Sequence, residues 1–172
     1  FIDVLNDEKS KNKFRIFGAS NWSLERFIEA NVWAKNNNKS GFSILNNNLS
    51  LCKMIKPLWD GCVSSNDNKI LDYLEKNKTA HLSWSSQGRG YFLSDKKVQE
   101  IENQIRKNET WRKPGEHSSG PLSCFDSKDN RERKKRSILL AKKLNTTCQN
   151  IAGAWPINLN FPSFALIGPR NI

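Results

Sequence analysis

Residues 81–92, HLSWSSQGRGYF, begin like a buried strand and then turn polar before the apolar pattern resumes. The first four residues suit a strand, whereas SSQGRG (85–90) places two glycines among polar side chains. In parallel α/β folds, the loops after the carboxyl ends of strands carry the ligand-binding groups. We therefore predict a strand that ends in a ligand-binding loop.

Three other short apolar runs also have strand length. They are FRIFGAS (14–20), FSILNN (42–47) and FALIGPR (164–170). The strand described above belongs to a fourth run, AHLSWSS (80–86). Each run ends in small or polar residues, as the end of a strand next to a binding loop would.

Helical patterns separate these runs. Ser23 is placed to cap the first, which ends in three asparagines, and Gly153 and Pro156 weaken the last. The predicted helices are 23–38, 68–78, 96–107, 129–144 and 146–154, with a polar loop at 113–123. Alternating strands and helices predict an α/β fold with parallel strands and helical crossovers.

Length and composition predict one packed domain over residues 1–172, because 37% of the chain is apolar and six residues are tryptophan. No run of eighteen apolar residues and no signal-peptide centre occurs, so we expect a soluble, cytoplasmic protein without a membrane partner. The cysteines are far apart and only two histidines are present, which predicts neither a zinc site nor a redox pair. A chain that begins at Phe1 is expected to be a processed product or part of a longer protein.

The formal net charge of +11 raises the alternative of a basic nucleic-acid-binding module that uses RERKKR (131–136). That run opens a helical pattern, and most other lysines are scattered among asparagines. The distribution therefore favours a solvated basic surface over a nucleic-acid partner.

Five segments, taken in order, resemble the carboxyl-terminal half of the aldo/keto reductase family. They are FGASNW (17–22), NNNLSL (46–51), PLWDGCVS (57–64), LSWSSQGRGYF (82–92) and ALIGPR (165–170). The resemblance covers nearly the whole chain and implies a partial (β/α)8 TIM barrel, of which this chain supplies strands five to eight. It also implies NADP(H), with NAD(H) as the alternative, bound without a glycine fingerprint; the sequence contains no strand-linked GxGxxG.

The resemblance assigns cofactor contacts to the strand ends. Ser20 and Asn21 match residues that hydrogen-bond the nicotinamide carboxamide, and Asn46 falls where many members place a glutamine that contacts the same amide. Trp84 matches an aromatic residue that stacks on the nicotinamide ring.

The phosphates of the cofactor are assigned to two later segments. Ser85, Gln87 and Arg89 match the loop around the pyrophosphate, in which two glycines allow close backbone approach. Gly168 and Arg170 match the segment that meets the adenosine 2′-phosphate in NADP-preferring members.

The resemblance assigns no catalytic residue to this chain. In the family, hydride transfer to a carbonyl uses a tyrosine, an aspartate, a lysine and a histidine of the first four strands, which would precede Phe1. Tyr73 and Tyr91 do not match that tyrosine, and His81 and His117 are interpreted as structural or solvated. We predict that the chain alone is inactive and that a missing amino-terminal half is its partner, since half a barrel leaves strand edges unpaired.

A second alternative is a non-catalytic binding or regulatory protein built on the same barrel. The presence or absence of the upstream catalytic residues distinguishes it from a reductase that acts on a small carbonyl substrate.

Overall fold

The computed structural model describes residues 1–108 and 119–168. Within those ranges the chain forms seven α-helices, four strands and one short 3-10 turn at Gly88–Gly90. In chain order the elements are α1 (Ile2–Ser10), β1 (Gly18–Ser20), α2 (Leu24–Asn36), β2 (Ile44–Asn46), α3 (Asn68–Asn77), β3 (Ala80–Ser83), α4 (Asp95–Asn108), α5 (Pro121–Phe125), α6 (Lys128–Lys143), α7 (Cys148–Ile157) and β4 (Ser163–Ala165).

All four strands are parallel and lie in the sheet in chain order, β1-β2-β3-β4. Each of the three connections contains at least one helix, which confirms the predicted α/β class. The described strands form an open sheet of four, so the TIM barrel stays a prediction.

The strands are shorter than the apolar runs that predicted them, and the first run shows why. Phe14 and Phe17 precede β1 and pack edge to face with ring centroids 5.9 Å apart. Phe17 packs in the same way on Phe42, with centroids 5.6 Å apart. The aromatic residues of the run therefore build the core beside the sheet, and only its small residues join the ladder.

Helices cover one face of the sheet. Ala19, Leu45 and His81 are neighbours across the strands and are all buried. Ala19 and Leu45 belong to a core that includes Phe27 of α2 and Leu74 of α3. Successive strand residues point to opposite faces, so the strand residues between them face away from these helices.

A second core lies beyond the carboxyl ends of the strands. Tyr91 and Phe92, which follow the loop after β3, pack there with Leu58, Phe125 and Ala152. The rings of Tyr91 and Phe92 are perpendicular, with centroids 5.6 Å apart. Residues of this core contact the segment from Ser85 to Gly90, since Gly88 lies next to Cys52, Tyr91 and Phe92.

Two helices were not predicted from the sequence. The first is α1, which buries only Ile2 and is fixed by Asn6, whose side chain accepts from Ser40 N at 2.8 Å and donates to Ser40 O at 3.0 Å. The second is α5, which begins inside the predicted polar loop with Pro121 at its first turn. Charged α1 and five-residue α5 have too little apolar periodicity to be recognised.

The last predicted helix extends further than expected, because α7 runs through Gly153 and Pro156 to Ile157. The Thr147 side chain caps it by accepting from Asn150 N at 3.1 Å, and Pro156 lies in the final turn and is buried. Gly153 gives room to Gln87, since a Cβ atom there would lie 3.2 Å from Gln87 Nε2. Tertiary packing therefore overrides the low helix propensity of both residues.

Among the described residues, no helix is both long and apolar enough to cross a bilayer. All four cysteines are free thiols.

Candidate functional site

The carboxyl ends of β1, β2 and β3 are joined by a chain of side-chain hydrogen bonds. Ser20 Oγ donates to Asn46 Oδ1 at 3.0 Å, and Asn46 Nδ2 donates to Leu82 O at 2.9 Å. These bonds fix the orientation of the Asn46 amide. The structure thus brings together Ser20 and Asn46, and the amide ligand that the resemblance assigns to them stays a prediction.

Asn21 directly follows β1 and connects it to a distant loop. Its φ of 56° lies in the left-handed region, which asparagine tolerates better than most residues. Its Oδ1 accepts from Val63 N at 3.1 Å, while its backbone N donates to Asn46 O at 3.1 Å. Within residues 1–108 and 119–168 no hydrogen bond uses Nδ2, so this donor is available to a ligand carbonyl.

Two asparagines that the sequence analysis did not assign extend the edge beyond β2. Asn48 is fully buried; its Nδ2 donates to Trp84 O at 3.2 Å and its Oδ1 accepts from Ser64 Oγ at 3.3 Å. Asn47 is also fully buried, and its Nδ2 donates to Trp22 O at 2.9 Å. The run of three asparagines that begins at the last residue of a short strand was the available signal.

Trp84 lies at the end of β3 and stacks on Trp59. Their ring centroids are 5.1 Å apart and the ring planes differ by 26°. Trp59 therefore covers one face of the Trp84 ring, which the resemblance predicts to stack on the nicotinamide. The Trp84 Nε1 donor is buried without a hydrogen-bond partner among the described residues. We call Ser20, Asn21, Asn46 and Trp84 the strand-edge group.

Next to this group, four of the predicted phosphate contacts line one cleft of about 490 Å³. Ser85, Gln87 and Arg89 come from the loop after β3, and Gly168 comes from the segment after β4. Apolar residues complete the walls, including Ile101, Ile105, Leu166 and Ile167. The described lining contains one basic side chain and no acidic one.

The loop that forms this cleft has an unusual backbone. Ser85 and Arg89 have φ values of 50° and 53°, and Gly88 and Gly90 have 62° and 93°. A Cβ atom on Gly88 would lie 2.5 Å from Cys52 Sγ, so this glycine is required by local packing as well as by its φ.

Two hydrogen bonds attach the loop to its surroundings. Ser86 Oγ donates to Leu166 O at 2.8 Å, which joins the two segments of the cleft. Gln87 Nε2 donates to Gln149 O of α7 at 3.1 Å. The cleft is therefore supported by both β4 and α7. Arg170, the last predicted phosphate contact, lies outside the described residues.

Of the other reactive side chains, His81 and Cys52 have structural roles, and His117 lies outside the described residues. His81 is fully buried between Ser83 Oγ at 2.9 Å and Ser65 Oγ at 3.0 Å, and burial lowers its pKa to about 4. Burial raises the pKa of the Cys52 thiol to about 12, so it stays protonated. In residues 1–108 and 119–168, no cluster of three metal-binding side chains occurs.

Neither tyrosine resembles a proton donor at the strand ends. Tyr91 is buried in the second core, its hydroxyl donates to Asp126 Oδ1 at 3.4 Å, and burial raises its pKa. Tyr73 lies on α3, where burial also raises its pKa.

No family model and no curated protein sequence matches this chain.

Proposed function

We propose that this chain is the carboxyl-terminal half of an NADP(H)-dependent aldo/keto reductase, with NAD(H) as the alternative cofactor. The parent enzyme would act in the cytoplasm on a small carbonyl or alcohol substrate. The observation that carries this proposal is the convergence of eight of the nine predicted cofactor contacts at the carboxyl edge of a parallel sheet in chain order.

The strand-edge group suits a carboxamide ligand. Asn21 Nδ2 can donate to an amide carbonyl, and the Ser20 and Asn46 oxygens lie 3.0 Å apart at the same edge. Because the Asn46 amide is already held by Leu82 O, it presents a fixed orientation to a ligand. Fixed donors and acceptors would select one face of an asymmetric ring.

The cleft suits a chain of phosphates. Arg89 supplies positive charge, Ser85 supplies a hydroxyl, and no acidic side chain in the described lining opposes an anion. The volume of about 490 Å³ lies within the usual range for a small-ligand site. The two subsites are neighbours because Trp84 and Ser85 are consecutive.

A nicotinamide cofactor, when bound, supplies or accepts a hydride. The residues of this chain would bind and orient it: the strand-edge group would hold the amide, Trp84 would pack against the ring, and the cleft would hold the phosphates. Proton transfer would depend on residues of the missing amino-terminal half. Because Trp59 stacks on one face of the Trp84 ring, the nicotinamide would pack on the opposite face unless Trp59 moves.

Titration of purified 1–172 with NADPH, followed by nucleotide fluorescence, tests this proposal. We expect saturable binding that Arg89→Gln weakens about tenfold, because a charge-assisted contact to phosphate is lost. Arg15→Gln removes the same charge at an exposed position outside the cleft and should leave binding unchanged. Equal loss in both variants, or no binding by the folded chain, would contradict the proposal.

Activity provides a second test. The chain alone should not reduce an aldehyde with NADPH, since it carries no assigned proton donor. Measured NADPH-dependent turnover by purified 1–172 would overturn the assignment of catalysis to a missing half.

A further inference from the structure

Helix α6 packs against the protein through a stripe of polar and small residues. Its buried members are Asn130, Ser137 and Ala141. Asn130 anchors the helix, because its Nδ2 donates to Lys53 O and Phe125 O, both at 2.7 Å, and its Oδ1 accepts from Lys53 N at 2.9 Å. Asn130 thus holds the start of the helix by hydrogen bonds, while Ser137 bonds Arg133 O within the helix.

The large apolar residues of α6 are exposed instead. Leu140 is 43% exposed, and Leu144, which directly follows the helix, is 58% exposed. A helix on a soluble domain usually buries such residues and exposes polar ones. These leucines therefore form an exposed apolar surface of the kind that often marks a binding site.

The groove between α6 and α7 gathers these leucines with other apolar side chains. It has a volume of about 510 Å³, and its apolar lining includes Leu140, Leu144, Ile151 and Trp155. Arg133 and Arg136 also line it, and no acidic residue does among the described lining. An apolar groove with only positive charge complements a ligand that is apolar along its length and anionic at one end.

The two arginines differ in how they are held. Arg133 Nη1 donates to Leu51 O at 2.9 Å, which fixes its guanidinium at the wall of the groove. Arg136 is 3.9 Å from Glu132 in an exposed ion pair, which costs little to rearrange. One positive group is thus positioned in advance and the other is free to move toward an anion.

We propose that this groove binds a single-chain amphiphilic anion, of which a long-chain carboxylate is the simplest, with its head at Arg133 and Arg136. A second copy of the chain is a poorer occupant, because α6 carries eight basic and two acidic residues and would repel its own copy. A nucleotide is also poorer, because its polar base and several phosphates do not match an apolar floor. The site is separate from the proposed cofactor cleft.

Calorimetric titration of purified 1–172 with dodecanoate, below the concentration at which it forms micelles, tests the proposal. We expect one site per chain. Shortening the acid should weaken binding by up to about fourfold for each methylene removed. Dodecyl maltoside, which has the same chain and a neutral head, should bind more weakly.

Matched variants locate the site. Leu144→Gln should weaken dodecanoate binding about fivefold, whereas Leu139→Gln should not, although Leu139 is 59% exposed on the same helix and lies outside the groove. Arg136→Gln should weaken binding two- to fivefold, by about the free energy of an exposed ion pair, and Lys142→Gln should not. All four positions are exposed, so circular dichroism should show the same helix content in every variant.

Three results would overturn the proposal: equal affinity for dodecanoate and dodecyl maltoside, equal effects at Leu139 and Leu144, or many weakly bound molecules per chain. Binding to phosphatidylserine vesicles without any response to free dodecanoate would also overturn it, in favour of a membrane surface. Each of these results is independent of NADPH binding in the cleft.

Discussion

The strand-edge group and the loop of the cleft lie side by side, yet they are built by different means. At the strand edge, side chains bond to neighbouring segments: Ser20 donates to the Asn46 side chain, and Asn46 donates to Leu82 O. The adjacent Asn48 donates in the same way to Trp84 O. In the loop, four residues between Ser85 and Gly90 have positive φ, and the shape comes mainly from the backbone. One region is thus sensitive to the loss of polar atoms, and the other to any added Cβ atom.

The largest loss of stability that we predict comes from a substitution in the loop of the cleft. Gly88→Ala should lower the free energy of unfolding by about 3 kcal/mol, because it combines an unfavourable φ with a clash against Cys52 Sγ. Urea unfolding followed by circular dichroism measures this loss.

Gly61→Ala is the matched control for that change. Gly61 has a φ of 84° but open space around its Cβ position, so only the backbone strain remains, about 1 kcal/mol. Equal losses at the two glycines would show that packing against Cys52 contributes nothing.

Low pH should destabilise the folded chain through His81, which lies next to the strand edge. His81 Nε2 lies 3.0 Å from Ser65 Oγ, and Ser65 N donates to Asn48 O at 2.7 Å. Because burial lowers the pKa of folded His81 to about 4 from 6.5, the unfolded chain binds the extra proton between these values. Stability should therefore fall as the pH drops from 6.5 to 4, by up to about 3 kcal/mol.

Urea midpoints of wild type and His81→Gln across this pH range measure the effect. The variant has no titrating ring, so its stability should change little between pH 6.5 and 5. The same pH dependence in both proteins would show that His81 is not the group responsible.

A smaller effect distinguishes the buried from the exposed part of the strand edge. Asn48→Ala should cost about 2 kcal/mol, because it removes two hydrogen bonds in a fully buried position. Ser20→Ala should cost under about 1 kcal/mol, because Ser20 is exposed and makes one such bond. Thermal unfolding compares the two directly, and the reverse order would contradict the hydrogen-bond account of this edge.

Much of the fold was predictable from local patterns. The four apolar runs located the strands, and capping by Ser23 was predicted correctly, since its Oγ accepts from Arg26 N at 3.3 Å. The strand ends also identified which loops meet at one edge. These features depend on residues that are near one another in the chain, and such features are the ones that periodicity detects.

The missing parts depend on contacts between distant segments. Trp59 stacks on Trp84 from a loop 25 positions earlier, and no sequence pattern indicates that the two rings meet. Asn48 binds Ser64 and Trp84, so its importance appears only when three segments are brought together. The sequence indicated which residues lie at the ends of the strands, but not which of their polar atoms already hydrogen-bond one another.

The absence of a side chain at Gly153 has an evolutionary consequence. Gln87 fills the space above it and donates a hydrogen bond to Gln149 O in the preceding turn of α7. A larger residue at position 153 would fit only with a shorter one at position 87, and losing Gln87 would leave a void over α7. In related sequences these two positions should therefore change together, and drift at either one alone should be rare.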